Sequence, residues 1–154
     1  MLSARALYAT SSQPDHEERR LIAEYFGPAF PGWRSADAQF PQEVTFETGQ
    51  ATRFEKVLFA QHPLEPRDTD AREVEVLVST IGPDGPYESV GRFTLIQIDE
   101  PQRFTFAPVA AHWIRLRVLS NNGGPYAALS EFGAYSIPRD PFGGTGTPRP
   151  AAKP

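Results

Sequence analysis

Residues 112–120, His-Trp-Ile-Arg-Leu-Arg-Val-Leu-Ser, alternate in side-chain character: Ile114, Leu116 and Val118 stand against Trp113, Arg115 and Arg117. Successive side chains of a strand point to opposite faces, so a period of two marks a half-buried β-strand and does not fit a helix. Residues 72–81 repeat the pattern, with Val74, Val76 and Val78 opposed to Glu73 and Glu75. Residues 42–48 repeat it again, with Val44, Phe46 and Thr48 opposed to Glu43, Thr45 and Glu47. Further strands are expected over residues 4–11, 53–61, 87–98, 102–108 and 128–137, separated by turn-forming runs such as Gly82-Pro83-Asp84-Gly85 and Asn121-Asn122-Gly123-Gly124-Pro125. This punctuation predicts an all-β chain: an antiparallel jelly-roll sandwich of about eight strands.

One segment departs from the pattern. Asp15 to Phe26 reads as a short N-terminal helix, with Asp15 as its cap and Glu17 and Glu18 in the first turn. Beyond Ile137 the chain is rich in proline and glycine, which predicts a domain over 1–138 and a flexible, disordered tail over 139–154.

A chain of 154 residues is long enough to bury one core, and 40% hydrophobic content is too high for disorder. A net charge of −4 argues against a general nucleic-acid binder. No stretch approaches the length of apolar sequence needed to cross a membrane. There is no cysteine and hence no disulfide. Together these features predict a soluble chain, cytoplasmic unless a leader has been removed.

Catalytic patterns are missing. His16, His62 and His112 lie far apart in sequence, Ser130 lacks the glycine that precedes a nucleophile in an elbow, and no phosphate-binding loop occurs. Asp68 and Asp70, and likewise Asp99 and Glu100, read as acids of solvated turns. A binding module, not an enzyme, is the expectation. Arg115 and Arg117 share a strand face, which would suit an acidic partner or else form a solvated face balanced by Glu73, Glu75 and Glu131.

The runs Arg-Glu-Val-Glu-Val-Leu-Val (72–78), His-Trp-Ile-Arg-Leu-Arg-Val-Leu-Ser (112–120) and Ala-Leu-Ser-Glu-Phe-Gly-Ala-Tyr-Ser (128–136) resemble the galactose-binding-like jelly roll of the discoidin, or coagulation-factor C-type, family. Gly32-Trp33-Arg34-Ser35 followed by Gln39-Phe40-Pro41-Gln42-Glu43 resembles the ciliary branch of that superfamily, with its centrosomal ciliary-tip and intraflagellar-transport jelly rolls. The resemblance implies a non-enzymatic interaction module of a ciliary or axonemal protein, in the cytoplasm, that docks onto tubulin or a ciliary partner. The alternative is a secreted carbohydrate-binding module of the discoidin type. It also implies that Phe30, Trp33 and Arg34 cluster with Asn121, Asn122 and Tyr126 at one end of the barrel. Relatives hold a calcium ion near that end; Glu131 matches one ligand position and Glu24 lies in the corresponding loop, but the loop lacks an Asp-Gly pair. Calcium takes six to eight oxygens, so the expectation is a degenerate site and no cofactor. From the residues themselves, Trp33 is equally suited to plugging one mouth of the sandwich.

Overall fold

The computed structural model describes residues 4–22 and 32–136, apart from the side chain of Gln50. Eight strands follow in chain order: β1 (Arg5–Ala9), β2 (Trp33–Arg34), β3 (Gln42–Ala60), β4 (Glu73–Ser79), β5 (Glu88–Thr94), β6 (Gln102–Val118), β7 (Ala128–Leu129) and β8 (Glu131–Tyr135). All strand pairs are antiparallel. The main sheet runs β1-β3-β6-β4-β5 with β8 added to β3, and β2 pairs separately with β7. This is the jelly-roll architecture that the alternation predicts.

The two long strands make the sandwich. Residues 42–47 of β3 pair with 113–118 of β6, and residues 56–59 pair with 102–105. Between these stretches the register shifts twice. At one shift Phe106, Ala107 and Pro108 stand opposite the single residue Glu55. A proline cannot donate to a ladder, so a bulge is where a strand tolerates it, and bulges also bend strands. Sequence reading places four separate strands here, over 42–48, 53–61, 102–108 and 112–120. The interruptions instead become bulges in two continuous strands, because pairing on both sides of each holds the chain extended.

The first half of the β3–β6 ribbon carries β1 on one edge and β4 and β5 on the other; the second half carries β8. Their inner faces meet. Phe46 stacks on Phe132 with ring centroids 5.5 Å apart, and Phe59 lies 5.3 Å from Phe132. Val44, Val74, Val76, Ile114, Leu116 and Val118 are all buried, so each alternating run contributes its apolar face as expected. Aromatic pairs at such spacings add about 0.5–1.5 kcal/mol each beyond area burial.

The expected helix over residues 15–26 is not formed as such. The described part contains a 3₁₀ turn, Glu18–Ile22, and residues 23–26 lie outside the described residues. Asp15 has a left-handed φ of 64° and does not cap a helix. Tertiary hydrogen bonds explain this: Gln13 N–H donates to Arg34 O at 2.9 Å and Arg34 N–H to His16 O at 3.2 Å. The segment is thereby pinned along β2, and this outweighs a modest local propensity. The expected tail over 139–154 likewise lies outside the described residues.

Trp33 sits at the centre of this arrangement. Its side chain is fully buried, and its indole N–H donates to Ser11 O and Ser12 Oγ, each at 3.1 Å. The preceding Gly32 lies against β7 so closely that a Cβ would stand 2.5 Å from Leu129 O. Glycine is required there by contact. Trp33→Ala should destabilise the fold by about 3–5 kcal/mol, and Trp33→Phe, which keeps the ring but loses the donor, by less. Urea denaturation of both variants checks this; a near-wild-type midpoint for Trp33→Ala would remove the indole from its place in the core.

Candidate functional site

Three loops and β2 converge at one end of the barrel. The loop after β3 (61–72), the loop after β5 (95–101) and the loop after β6 (119–127) are stitched together by backbone bonds. Ser35 N–H donates to Ala127 O at 2.9 Å, Ala71 N–H to Ala128 O at 3.1 Å, Arg72 N–H to Ser120 O at 2.9 Å and Leu95 N–H to Arg72 O at 2.7 Å. Gln61 Nε2 donates to Ala71 O and to Ile96 O, which ties two loops through one buried amide.

The glycine-rich loop is held by its own asparagines. Asn121 Nδ2 donates to Gly124 O at 3.0 Å and Tyr126 O at 2.8 Å, while its Oδ1 accepts from Gly123 N–H. Asn122 Nδ2 donates to Asp70 O at 2.9 Å. Asn122 N–H and Gly124 N–H both donate to Asp68 O, and a Cβ on Gly124 would lie 2.8 Å from that oxygen. The loop is therefore docked on the 61–72 segment and presents Tyr126 at a set position.

Tyr126, Arg34 and Glu65 form the first polar group. The Arg34 guanidinium lies over the Tyr126 ring, 5.1 Å from its centroid. Arg34 Nε donates to Glu65 Oε2 at 2.6 Å, and Tyr126 OH donates to Glu65 Oε1 at 2.9 Å. The Glu65 side chain is only 5% exposed, whereas Arg34 keeps 31% of its side chain in solvent. Burial, and then the Glu65 carboxylate beside it, hold the Tyr126 hydroxyl above the ordinary tyrosine range. A buried carboxylate, an aromatic ring and a half-exposed guanidinium thus share one small surface.

Arg67, Asp70 and Asp99 form the second. Arg67 Nη1 donates to Asp70 Oδ2 at 3.1 Å and its Nη2 pairs with Asp99. The Asp70 side chain is 1% exposed, and its Oδ1 has no hydrogen-bond partner. Burial pushes the Asp70 carboxyl up to about 6, and the Arg67 hydrogen bond only partly offsets this. For Arg67, burial lowers the basicity but hydrogen bonds to Asp99 and Asp70 outweigh it. Both values move up, which favours the charged form of Arg67 and disfavours that of Asp70: the cation gains more from two carboxylates than the buried carboxylate regains from one shared cation.

Of the residues expected at this end, Arg34, Asn121, Asn122 and Tyr126 are brought together, and Trp33 underlies them as a core residue with no exposed surface. Phe30 and Glu24 lie outside the described residues. Glu131, on β8, is fully buried, and no cluster of three or more His, Cys, Asp or Glu with metal-binding geometry occurs among the described residues. Glu65 and Arg67 carry no motif in the sequence. Asp70 corrects the solvated-turn reading, since it is buried. The available signal is density: residues 61–72, Gln-His-Pro-Leu-Glu-Pro-Arg-Asp-Thr-Asp-Ala-Arg, pack five charged residues between two apolar strands.

Arg115 and Arg117 lie elsewhere, on the outer face of the first half of the sheet. Arg117 Nε donates to Glu43 Oε2 at 2.6 Å and Nη1 to Glu75 Oε1 at 3.1 Å. Arg115 donates to Thr45 Oγ1, Tyr8 OH and Pro83 O and lies 4.2 Å from the Tyr87 ring centroid. Cross-strand register puts Glu43, Arg117, Glu75 and Arg92 in one row of alternating sign. Along this row Arg117 and Arg92 each face a carboxylate, whereas Arg115 is held by neutral partners.

The Asp70 carboxyl predicts a pH dependence with a definite sign. Its folded value of about 6 stands above the ordinary aspartate value of 3.8, so the native state binds more protons than the unfolded state between them. Its contribution to stability is therefore fullest below about pH 4 and is lost as pH rises through about 6. Melting curves of wild type and Asp70→Asn across that window should diverge, with the variant gaining relative stability as pH rises. Parallel curves would show that the carboxyl is not perturbed by burial.

No protein-family model matches the chain, and no curated protein matches it. Solved structures do. The module CpGH89CBM32-5 of Clostridium perfringens, solved with GalNAc-β-1,3-galactose, superposes with a TM-score of 0.75 at 18% identity, covering 87% of this chain and 96% of that one. The family 32 carbohydrate-binding module of C. perfringens NanJ, solved with galactose, gives 0.73 at 19% identity over 87% and 94%. Chitosan-binding module 1 of a chitosanase/glucanase from Paenibacillus sp. IK-5 gives 0.71 at 20% identity over 88% and 96%. These findings overturn the tubulin or ciliary docking that the Gly-Trp-Arg-Ser and Phe-Pro-Gln-Glu runs suggest, since the neighbours are carbohydrate-binding modules. Within the first run Trp33 is buried in the core and Gly32 lies against β7. The chain has the galactose-binding-like jelly-roll fold of these modules.

Proposed function

We propose that this chain is a non-catalytic carbohydrate-binding module, acting outside the cell, and that the loop end around Tyr126 holds the sugar. The observation that carries this reading is the Arg34–Glu65–Tyr126 group. Sugars present hydroxyls that need both donors and acceptors, on a ring with apolar C–H faces. A site suited to them combines an aromatic side chain with charged groups whose hydrogen-bond geometry is already set. Here Glu65 fixes the orientation of both Arg34 and Tyr126, and Asn121 and Asn122 lock the loop that carries the tyrosine. Such a site loses little side-chain freedom when a ligand binds. The fold agrees with this, since the similar structures named above are binding modules solved with or named for sugars.

The chemistry of the group also limits what can be varied. Arg34→Glu would set a second carboxylate against buried Glu65, so it should unfold the loop end and is a poor probe of binding. Tyr126 is half-buried and lies on the rim, so its removal is better tolerated. Tyr126→Ala should weaken binding to a sugar found on a glycan array by at least about tenfold while the melting temperature drops by only a few degrees. Titration calorimetry beside thermal melting measures both. Undiminished affinity in a folded Tyr126→Ala variant would move the site away from this end. An array on which wild type binds no glycan would overturn the function itself.

A further inference from the structure

A second cleft opens at the end of the barrel away from Tyr126. Strand β4 starts beside the loop end, where Leu119 N–H donates to Glu73 O, and its last residue, Ser79, lies about 20 Å away by strand rise. There the segment joining β4 to β5 borders a cleft of about 340 Å³, with Ser79, Thr80, Ile81, Tyr87, Glu88 and Ala110 in its walls. The segment is pinned. Pro83 O accepts from Tyr87 OH at 2.8 Å, from Tyr8 OH at 3.3 Å and from Arg115 Nη2 at 3.3 Å, and Gly85 N–H donates to Gly82 O at 3.0 Å. The Arg115 guanidinium also lies over the Tyr87 ring, so this arginine positions the loop. Ser79 Oγ accepts from Ile81 N–H at 3.1 Å and Gly82 N–H at 3.4 Å, which fixes the oxygen and leaves its own proton to donate. Glu88 is exposed and forms no ion pair among the described residues. Ile81, 71% exposed, and Pro86 add apolar surface.

We propose that this cleft is a second site, for an uncharged sugar residue, and that the module thereby bridges two glycan chains, one at each end. This rests on the sugar-binding reading above. A sugar hydroxyl both donates and accepts, and the cleft offers each kind of partner: the Glu88 carboxylate only accepts, while the Ser79 and Thr80 hydroxyls do both. The C–H faces of the ring have Ile81, Pro86 and Tyr87 to pack on. Charged ligands gain less. No lysine or arginine lines the cleft, and Arg115 is already bound to Thr45, Tyr8 and Pro83, so an acidic sugar meets Glu88 without a counter-ion. A single solvent-exposed carboxylate also gives an amine little, so hydroxyls and apolar walls carry the recognition. The pinned loop loses little freedom when a ligand binds. Two sites at opposite ends of the barrel face different chains, and a surface rich in the sugar would be joined to another through the module.

Amide NMR titration of the whole chain with galactose, N-acetylgalactosamine and N-acetylglucosamine tests this. At least one of them should shift resonances of residues 79–88 and of residues 121–126 as two sets that saturate independently. Tyr126→Ala should remove the loop-end set and leave the affinity of the cleft unchanged. Ala110 is exposed, so Ala110→Trp should fill the cleft and weaken its set by at least about tenfold while the loop-end set stays as it is. Glu88→Gln, at an exposed carboxylate, should weaken the cleft set several-fold and serves should Ala110→Trp fail to fold. A carrier protein displaying many copies of the bound sugar should be precipitated by wild type and stay in solution with Tyr126→Ala or Ala110→Trp. If only residues 121–126 respond, the second site is wrong and the sugar-binding function stands. If only residues 79–88 respond, the cleft stands, and bridging and the loop-end site are both wrong. If both respond but the carrier stays in solution with wild type, bridging is wrong. If no sugar moves either set, both sites are wrong.

Discussion

The pairing of β3 with β6 is the constraint on which the other elements depend. Each strand is long enough to contribute to both layers, so one continuous ribbon forms the middle of each half of the sandwich. Its bulges turn the ribbon so that its inner faces meet around Phe46, Phe59 and Phe132. β1, β4 and β8 add to edges of this ribbon, β5 adds to β4, and β2 pairs with β7 apart from it. The bulge containing Pro108 has a structural use: it puts a residue with no backbone donor where no donor is needed.

The same ribbon separates two kinds of charge. On the outer face of its first half, Arg115 and Arg117 occupy successive outward positions and meet Thr45, Glu43 and Glu75 on the neighbouring strands. There the ladder itself fixes which groups stand opposite, and alternating signs cancel. At the loop end no ladder imposes pairing. Carboxylates from the 61–72 and 95–101 loops gather around fewer guanidiniums, and burial leaves one carboxyl oxygen without a donor. The sheet ladder thus settles the row of charges strand by strand, whereas at the loop end the packing of the loops decides which charges meet.

Trp33 shows how a distinctive sequence run can mislead about function while being informative about structure. The run Gly-Trp-Arg-Ser contains the residue that fills the end of the core, the glycine that lets the chain pass against β7, and the arginine that reaches the solvent side. A tryptophan that must be buried and a glycine that must lack a Cβ impose a recognisable spelling for packing reasons alone. The spelling therefore says that the end of the barrel is closed in this way, and leaves open what binds outside it.

Much of the fold was legible because a two-residue period has one physical cause, a strand with one face in the core. The runs at 42–48, 72–81 and 112–120 determined by themselves that the chain is an antiparallel β sandwich and which side chains fill it. They could not show that separate runs join into single strands, since a bulge is stabilised by pairing on both sides and pairing partners are distant in sequence. The candidate site was half legible: Arg34 and Tyr126 stand out as a cation and an aromatic near tight loops. Glu65, Arg67 and Asp70 did not, because an acid in a turn-rich segment has the same local sequence whether it is solvated or buried. Tertiary structure decided that difference by laying the glycine loop over residues 61–72, which removes water from Asp70 and places Glu65 between a guanidinium and a phenol.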